Sequence, residues 1–349
     1  MYKRIDSPRE GAYPPGMPRQ PRLDAPGTLH HVIGRGIERT QLFRNDPDRA
    51  DFVTRLAVCC ETGALTVYAW ALMPNHVHLL VRTGPSPLFR SMKKLLTGYV
   101  VNFNRRHQRI GHLFQNRYKS IVVEDEPYLL ELTRYIHLNP LRSHIVPDLS
   151  TLHRYPWTGH AALVGGVARP WQDTQTILAQ FGPTPRRAIA AYRAFVAAGI
   201  PQGRRPDLGG GGLVRSLGGW AQVVARRRKG PPPAADPRIL GSGEFTAALL
   251  AEAARQEQET LRLSRKGVAL ATLARAISDR EGVPERELRS GNRRPAVVRA
   301  RRLFCQVAVQ GLGYAGAAVA RFLGVTTSSA NRLAVSEELP EVQRYLNAL

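Results

Sequence analysis

The spacing of hydrophobic residues changes several times between residues 28 and 140, and these changes predict the order of strands and helices. β-Branched and aromatic runs predict strands at 28–35, 66–73, 76–82 and 118–124. Apolar residues recur at helical spacing over 47–61, 86–106 and 125–139. We expect Pro140 to end the last of these helices. The order strand, helix, hairpin, helix, strand, helix predicts an α+β fold, a ferredoxin-like antiparallel sheet with helices packed against it.

The rest of the chain has a looser pattern, and four parts are predicted. Proline, arginine and glycine dominate the amino terminus, and a run of basic residues followed by prolines marks a boundary near residue 230. The predicted parts are a basic flexible arm at 1–24, the α+β domain at 25–150, a linker with short helices at 151–235 and an all-α domain at 236–349. Helices are expected in the last two parts at 185–198, 245–258, 268–280 and 294–309.

The charge of the chain is unusual. Its 349 residues include 50 Lys and Arg against 27 Asp and Glu, which gives a net charge of +23 and a pI near 11.0. A surplus of this size indicates a polyanionic partner, and nucleic acid is the leading candidate. A GC-rich genome would explain the preference for arginine over lysine, but it would not explain the excess over acidic residues.

Cysteine content and hydropathy bear on the compartment. Cys59, Cys60 and Cys305 are too few and too badly spaced for a disulfide framework or a zinc ribbon. No apolar run approaches the roughly 18 residues that a membrane span needs. We therefore expect a cytoplasmic, nucleoid-associated protein without a membrane partner.

His76 and His78 are the first candidates for chemistry. They are separated by one valine in a predicted strand, so both imidazoles point to the same face while Val77 and Leu79 point to the other. Two converging imidazoles can bind a divalent cation, although a third ligand must come from elsewhere. The alternative is that they are two polar residues on the wet face of a half-exposed strand.

A tyrosine and an asparagine on the last predicted helix are the second candidates. Leu129, Leu132 and Ile136 form the apolar stripe of that helix, and Tyr135 and Asn139 share the flank beside it, one turn apart. A phenol and an amide oxygen could then face the same point. The alternative is a half-buried tyrosine whose hydroxyl group contacts water.

Several basic residues are candidates for DNA contacts. The helix expected at 86–106 ends in a dense basic run, whose guanidinium groups suit a phosphate backbone, whereas a solvated helix end is the other reading. The residues assigned to this role are Arg35, Arg105, Arg106 and Arg109.

Three segments together resemble a known family. They are His30–Gly36 (HHVIGRG), Met73–Leu80 (MPNHVHLL) and Arg134–Pro140 (RYIHLNP). In this order and spacing they are similar to the single-tyrosine transposases of the HUH superfamily, within it to the REP-associated tyrosine transposases. The resemblance implies that His76, His78 and Asn139 bind Mg²⁺ or Mn²⁺. It also implies that Tyr135 attacks phosphorus to give a 5′-phosphotyrosine and a free 3′-OH.

The carboxy-terminal end resembles a second, separate module. Residues 316–333 predict a helix, a glycine-containing turn and another helix, which is similar to the duplex-binding domain of the bacterial replication initiator. The second helix would direct Thr327, Ser328, Ser329 and Arg332 toward a major groove. The alternative is a three-helix packing unit that does not contact DNA.

The resemblance, together with the basic charge, implies a metal-dependent transposase that cleaves and rejoins single-stranded, hairpin-forming DNA. Duplex DNA would bind to the carboxy-terminal domain, and the protein would be a monomer or a homodimer. Two alternatives stay open: a non-catalytic DNA-binding regulator with the same fold, and a site-specific replication or conjugation nickase that shares the histidine pair.

Overall fold

A single five-stranded sheet is the centre of the fold. The computed structural model describes residues 23–203, 205, 208, 236, 238–265 and 268–348. The strands lie in the order β2–β3–β1–β4–β5, and β1 is antiparallel to β3 and β4, β2 to β3, whereas β5 is parallel to β4. Their bounds are β1 (Leu29–Arg35), β2 (Leu65–Met73), β3 (His76–Thr83), β4 (Lys119–Val123) and β5 (Ile239–Leu240). The first four strands form the predicted ferredoxin-like arrangement, so the α+β fold class is confirmed.

Helices connect and follow the strands, and five of the seven helices that were predicted with bounds begin and end within two residues of them. Short turns at Ile37–Arg39 (3₁₀) and Val307–Gly311 (π) supplement them. The helices are α1 (Asp46–Glu61), α2 (Leu88–Arg106), α3 (Asp125–His137), α4 (Asn139–Arg142), α5 (Leu149–Leu152), α6 (His160–Leu163), α7 (Gln175–Leu178), α8 (Pro185–Ala198), α9 (Gly243–Arg265), α10 (Leu270–Glu281), α11 (Glu285–Leu288), α12 (Pro295–Gln306), α13 (Gly316–Leu323), α14 (Thr327–Ala334) and α15 (Glu341–Ala348).

The two faces of the sheet bury different sets of side chains. Val77 and Leu79 of β3 belong to the core that also contains residues of α1 and α2, such as Phe52 and Tyr99. Leu80 belongs to the opposite core, which contains residues of α3 and of later helices. The strand alternation of the sequence therefore assigns α1 and α2 to one face of the sheet and α3 to the other.

The end of α3 differs from the prediction. This helix was expected to continue to Asn139 and to stop at Pro140, but it ends at His137. After Leu138 a new short helix, α4, begins, and Pro140 lies in its first turn. Proline is accepted at that position because the amide hydrogen it lacks would have no partner within the helix.

Helices α5–α8, which we call the helical layer, pack on the same face of the sheet as α3. They lie inside the predicted linker, yet their buried residues share one core with the sheet and α3. The backbone also reaches the outer strand, because the Leu72 amide donates to the Trp157 carbonyl at 3.0 Å. The buried Trp70 indole donates to Gln172 at 2.9 Å. Residues 149–198 are therefore part of the sheet domain's core.

The carboxy-terminal helices form a core of their own. It includes Leu273, Phe304, Leu323 and other buried residues of α10–α15. Several contacts join this part to the sheet domain. β5 pairs with β4, the Ser242 amide donates to the Glu124 carboxylate at 2.6 Å, and the Arg90 guanidinium of α2 reaches the amide oxygen of Gln310 at 3.0 Å. The predicted all-α domain of 236–349 thus contributes one short strand to the sheet.

Some sequence predictions fall outside the described residues. The basic arm of 1–24 lies outside them except for its last two residues, and so does nearly all of the predicted linker beyond residue 203. No helix in the described part of the chain has the length and apolar character needed to cross a membrane.

Candidate functional site

The site begins at the first residues of β3, directly after the turn of the β2–β3 hairpin. His76 and His78 project from one face of β3, and in the sheet they lie opposite Arg35 and Ile33 of β1. The two imidazole rings lie 5.0 Å apart between centroids, in an edge arrangement. His78 is 4 % exposed, whereas His76, the first residue of β3, is half-buried. The alternation predicted for this strand is confirmed.

A third imidazole, which the sequence did not assign to the site, lies beside His78. His31 of β1 is fully buried, and its Nε2 is 3.0 Å from Nδ1 of His78, a hydrogen-bond distance. The two rings are stacked with their centroids 5.3 Å apart. His31 belongs to the first segment of the family resemblance, but only the pairing of β1 with β3 reveals that it joins this group.

Tyr135 reaches these imidazoles from α3. Leu132 and Ile136 are fully buried against the sheet, and this packing directs the neighbouring flank of the helix toward the histidines. The Tyr135 ring lies 5.9 Å from that of His78 and 6.1 Å from that of His31, both edge-on. The tyrosine and the histidines therefore meet within a single protomer.

Burial favours the uncharged form of His76 and His78 at neutral pH. Burial, together with the positive charge of Arg35, lowers the pKa of His76 to about 4. Burial also lowers the pKa of His78 well below its usual value, and the neighbouring His31 adds to this effect. Neutral imidazoles are the form that binds metal ions.

The hydrogen bond from His76 to the preceding asparagine fixes which ring nitrogen is available. Nδ1 of His76 lies 2.8 Å from Oδ1 of Asn75, which as a carbonyl oxygen can only accept. Nδ1 therefore carries the hydrogen, and Nε2 retains its lone pair. This is a favourable arrangement for a metal ligand.

Asn139 lies one turn after Tyr135, although it begins α4 and does not extend α3. Its Nδ2 donates to the carbonyl oxygens of Tyr135 and Ile136, at 3.0 and 3.4 Å. These bonds hold the amide group against the end of α3 and use its nitrogen. The amide oxygen is the atom that would serve as a ligand, so the role of Asn139 stays a prediction.

The donor set is consistent with a divalent cation only if an amide takes part. Among the residues that the structure describes, no three His, Cys, Asp or Glu side chains are placed to hold a metal ion together. His31 lies at hydrogen-bond distance from His78 and does not complete such a group of three. The predicted set has two imidazoles and the Asn139 amide, so it depends on that oxygen.

An open cavity of about 810 Å³ adjoins His76. Its lining includes Arg35 and Arg39, which are both exposed, together with Asn75 and Gln115. The backbone amide of Gln115 donates to the Arg35 carbonyl at 2.9 Å, which joins the segment before β4 to the end of β1. Arg35 is thus beside the histidines and accessible from this cavity, as a DNA contact would need.

The other basic candidates of the sheet domain differ in their surroundings. Arg105 is exposed at the end of α2. Arg106 forms an ion pair with the fully buried Asp48, and the Arg109 guanidinium lies 5.9 Å from the Phe103 ring. Arg106 and Arg109 therefore have structural contacts in addition to any contact with DNA.

The carboxy-terminal candidates lie on the second helix of a helix-turn-helix. α13 ends at Gly324, whose φ of 68° is the left-handed conformation that glycine adopts most easily. α14 begins after Thr326, whose hydroxyl group accepts from the Ser329 amide. The exposed residues of α14 include Thr327, Ser328 and Arg332, and Ser329 is half-buried. The predicted helices and turn are confirmed, while DNA contact by these residues stays a prediction.

Comparison with known proteins identifies the sheet domain. A family model described as "Transposase IS200 like" matches residues 27–139, which span β1 to the start of α4. No curated protein matches the chain. A solved structure, of a REP-associated tyrosine transposase bound to a REP hairpin, aligns with 46% of this chain and 94% of that chain, at 14% identity and a TM-score of 0.36. Residues 27–139 therefore resemble the IS200-like transposase family, and this match supports an enzyme that cleaves DNA.

Proposed function

We propose that this protein cleaves and rejoins single-stranded, hairpin-forming DNA, with Tyr135 as its nucleophile. One observation supports this assignment most directly: the Tyr135 ring packs against His78 and His31 in the same protomer. Tyr135 also packs against the apolar core beneath α3. Its ring nevertheless faces His78 and His31, and the neighbouring His76 lines an open cavity.

The proposed reaction exchanges one phosphodiester for another. The Tyr135 hydroxyl oxygen forms a bond to phosphorus, the bond from phosphorus to the 3′-oxygen of the preceding nucleotide breaks, and that oxygen leaves as a 3′-OH with a proton. The DNA 5′-phosphate is then esterified to the tyrosine. The 3′-OH of another strand reverses the step. The bond energy is conserved, so no nucleotide triphosphate is needed.

His76, His78 and Asn139 would hold Mg²⁺ or Mn²⁺ in this proposal. Such a cation would polarise the scissile phosphate and neutralise the charge that develops on it. His76 presents Nε2 because Asn75 binds the hydrogen on Nδ1. His31 orients His78 through their hydrogen bond, which is the role that a neighbouring acceptor or donor has at many metal-binding histidines.

Charge and the adjoining cavity support a nucleic-acid substrate for this site. The net charge of +23 favours a polyanion, and Arg35 and Arg39 line the cavity beside His76. The preference for hairpins is proposed from the resemblance of the sequence to REP-associated transposases. We propose that the helix-turn-helix binds duplex DNA with Thr327, Ser328, Ser329 and Arg332 and so helps to choose the target.

Formation of a covalent protein–DNA adduct tests the proposal. The full chain is incubated with Mg²⁺ or Mn²⁺ and a pool of labelled single strands, each with a hairpin and a randomised flank. We expect a labelled band that survives denaturing electrophoresis. Tyr135→Phe should abolish it, because the variant has no hydroxyl group. Tyr128→Phe, on the same helix, is the matched control and should form the adduct.

The histidines and the alternatives are examined in the same assay. The double variant His76→Ala, His78→Ala should form no adduct, whether or not the cation is added. An adduct that survives Tyr135→Phe would contradict the assigned nucleophile. A regulator would form no adduct in any variant, and a nickase would form one without joining the DNA to a second strand.

A further inference from the structure

Arg142 of α4 lies next to the proposed nucleophile, and the sequence analysis assigned it no role. Its guanidinium carbon is 6.0 Å from the centroid of the Tyr135 ring. Nη2 donates to the carbonyl oxygen of Gly199 at 2.9 Å. Nε and Nη1 are buried and have no hydrogen-bond partner among the described residues. Buried N–H groups of this kind usually have an acceptor, so two donors beside Tyr135 require an explanation.

The charges around Arg142 add to this observation. Glu131, which accepts hydrogen bonds from both Arg134 and Arg205, forms no ion pair with Arg142 in the described part of the chain. Burial lowers the pKa of Arg142, and the charges of Arg134 and Arg205 lower it further, whereas Tyr135 raises it. Arg134 and Arg205 thus share the Glu131 carboxylate, Arg142 adds a third guanidinium group, and the local charge is positive.

A purely structural role accounts for only part of this geometry. The bond to Gly199 anchors α4 to the end of the helical layer, and it uses one of the five N–H groups of Arg142. A group that served only as an anchor would not need a buried positive charge without an acidic partner, because such a charge is costly. An anion that arrives with the substrate would satisfy both the charge and the two N–H groups.

We propose that Arg142 binds the DNA phosphate that becomes attached to Tyr135. This inference rests on the proposed function, since it assigns the phosphate position of the same site. The guanidinium group is a permanent cation whose N–H groups donate charge-assisted hydrogen bonds to phosphate oxygens. Arg142 thereby holds the 5′-phosphate of the cleaved strand while the other strand's 3′-OH approaches.

Equilibrium binding of a product-like strand tests Arg142 without the covalent step. The full-length Tyr135→Phe variant is titrated with two labelled single strands of one sequence, which end in a 5′-phosphate or a 5′-hydroxyl group. Fluorescence anisotropy gives both dissociation constants at the same salt concentration. We expect the phosphorylated strand to bind roughly tenfold more tightly, as a charge-assisted pair of hydrogen bonds would give.

Substitutions of Arg142 in the same background locate the phosphate contact. Arg142→Gln should remove the preference, so that the two strands bind alike. Arg187→Gln, at an exposed position of α8, removes the same charge and should keep the preference. Arg142→Lys keeps the charge without the planar pair of donors, and should reduce the preference to a few-fold. If Arg142→Gln does not fold, the preference that is measured for Arg142→Lys decides whether Arg142 contacts the phosphate.

Two results would overturn the inference. The first is equal binding of the two strands before Arg142 is changed. The second is an undiminished preference in Arg142→Gln or Arg142→Lys. Failure of the proposed function is a separate result: a phosphate preference that depends on Arg142, together with an adduct that survives Tyr135→Phe, would retain the phosphate site and reject Tyr135 as the nucleophile.

Discussion

Acid should destabilise this protein through a buried histidine pair behind the tyrosine-bearing helix. His137 of α3 is fully buried, and its Nδ1 lies 2.6 Å from the hydroxyl oxygen of Tyr192 in α8. His160 of α6 approaches the same hydroxyl group at 3.4 Å, and its Nε2 is 2.8 Å from Nδ1 of His153. These side chains join α3 to the helical layer. Protonation of their imidazoles would disrupt the hydrogen bonds between them.

The sign of the effect follows from the pKa values. Burial, with His153 and Arg193, lowers the pKa of His160 to about 3, and burial, with His160, lowers the pKa of His137 well below its usual value. In the unfolded chain each imidazole returns to a pKa of about 6.5. The unfolded state therefore binds more protons below this pH, and stability that is present above pH ~6.5 is lost as the pH falls.

The size of the loss can be worked out for the two residues. Between pH ~7.5 and ~5.5, a histidine that stays neutral in the fold lowers the free energy of unfolding by about 1.4 kcal/mol. His137 and His160 together should therefore contribute about 3 kcal/mol. For His160 the loss should continue toward pH 3, since only there does the folded protein take up the proton.

Urea unfolding at several pH values measures this effect. Tryptophan fluorescence is a suitable signal, because Trp70 is fully buried and its ring centroid lies 5.7 Å from that of Trp171. His160→Gln should remove about 1.4 kcal/mol of the loss between pH ~7.5 and ~5.5, whereas the other buried histidines keep their share of it. His112→Gln, at an exposed position, is the control and should leave the loss unchanged. A free energy of unfolding that does not vary over this range would refute the reasoning.

Two further substitutions probe contacts outside the site. Asp48→Asn should lower the free energy of unfolding by about 2–3 kcal/mol, because the buried carboxylate pairs with Arg106 and accepts from His107; denaturant titration measures this, and an unchanged midpoint would contradict it. Gly324→Val should destabilise the helix-turn-helix by roughly 1–3 kcal/mol, because a β-branched residue must adopt the left-handed conformation at φ 68°. Circular dichroism during heating would show the loss, and full stability would exclude strain at this turn.

The strands and their faces could be predicted from the sequence because a strand repeats every two residues. The run from His76 to Leu79 alternates between polar and apolar residues, and this alone places both imidazoles on one face. Which strand pairs with β3 could not be predicted from this alternation. His31 lies in a mostly apolar strand with His30 next to it, and the alternation does not show which of the two faces the site. Only the register of β1 against β3 selects His31.

The break between α3 and α4 shows a second limit. Proline predicts where a helix cannot continue, but it does not distinguish the end of a helix from the first turn of the next. Here the chain turns at Leu138 and starts α4, which carries both Asn139 and Arg142 back toward Tyr135. A helix that simply stopped at Pro140 would have left Arg142 without a predicted position.

The helices that pack against α3 and hold it in place come from a segment that has no recognisable motif. The family match ends at residue 139, whereas Tyr192 and Gly199, which contact His137 and Arg142, lie in or just after α8. The looser pattern of apolar residues over 151–235 predicts a linker, because it shows no face that would indicate a sheet beneath it. The buried residues of these helices nevertheless form one core with α3. The orientation of Tyr135 toward the histidines therefore depends on packing that the catalytic motifs do not encode, and substitutions in α8 should affect the site without touching it.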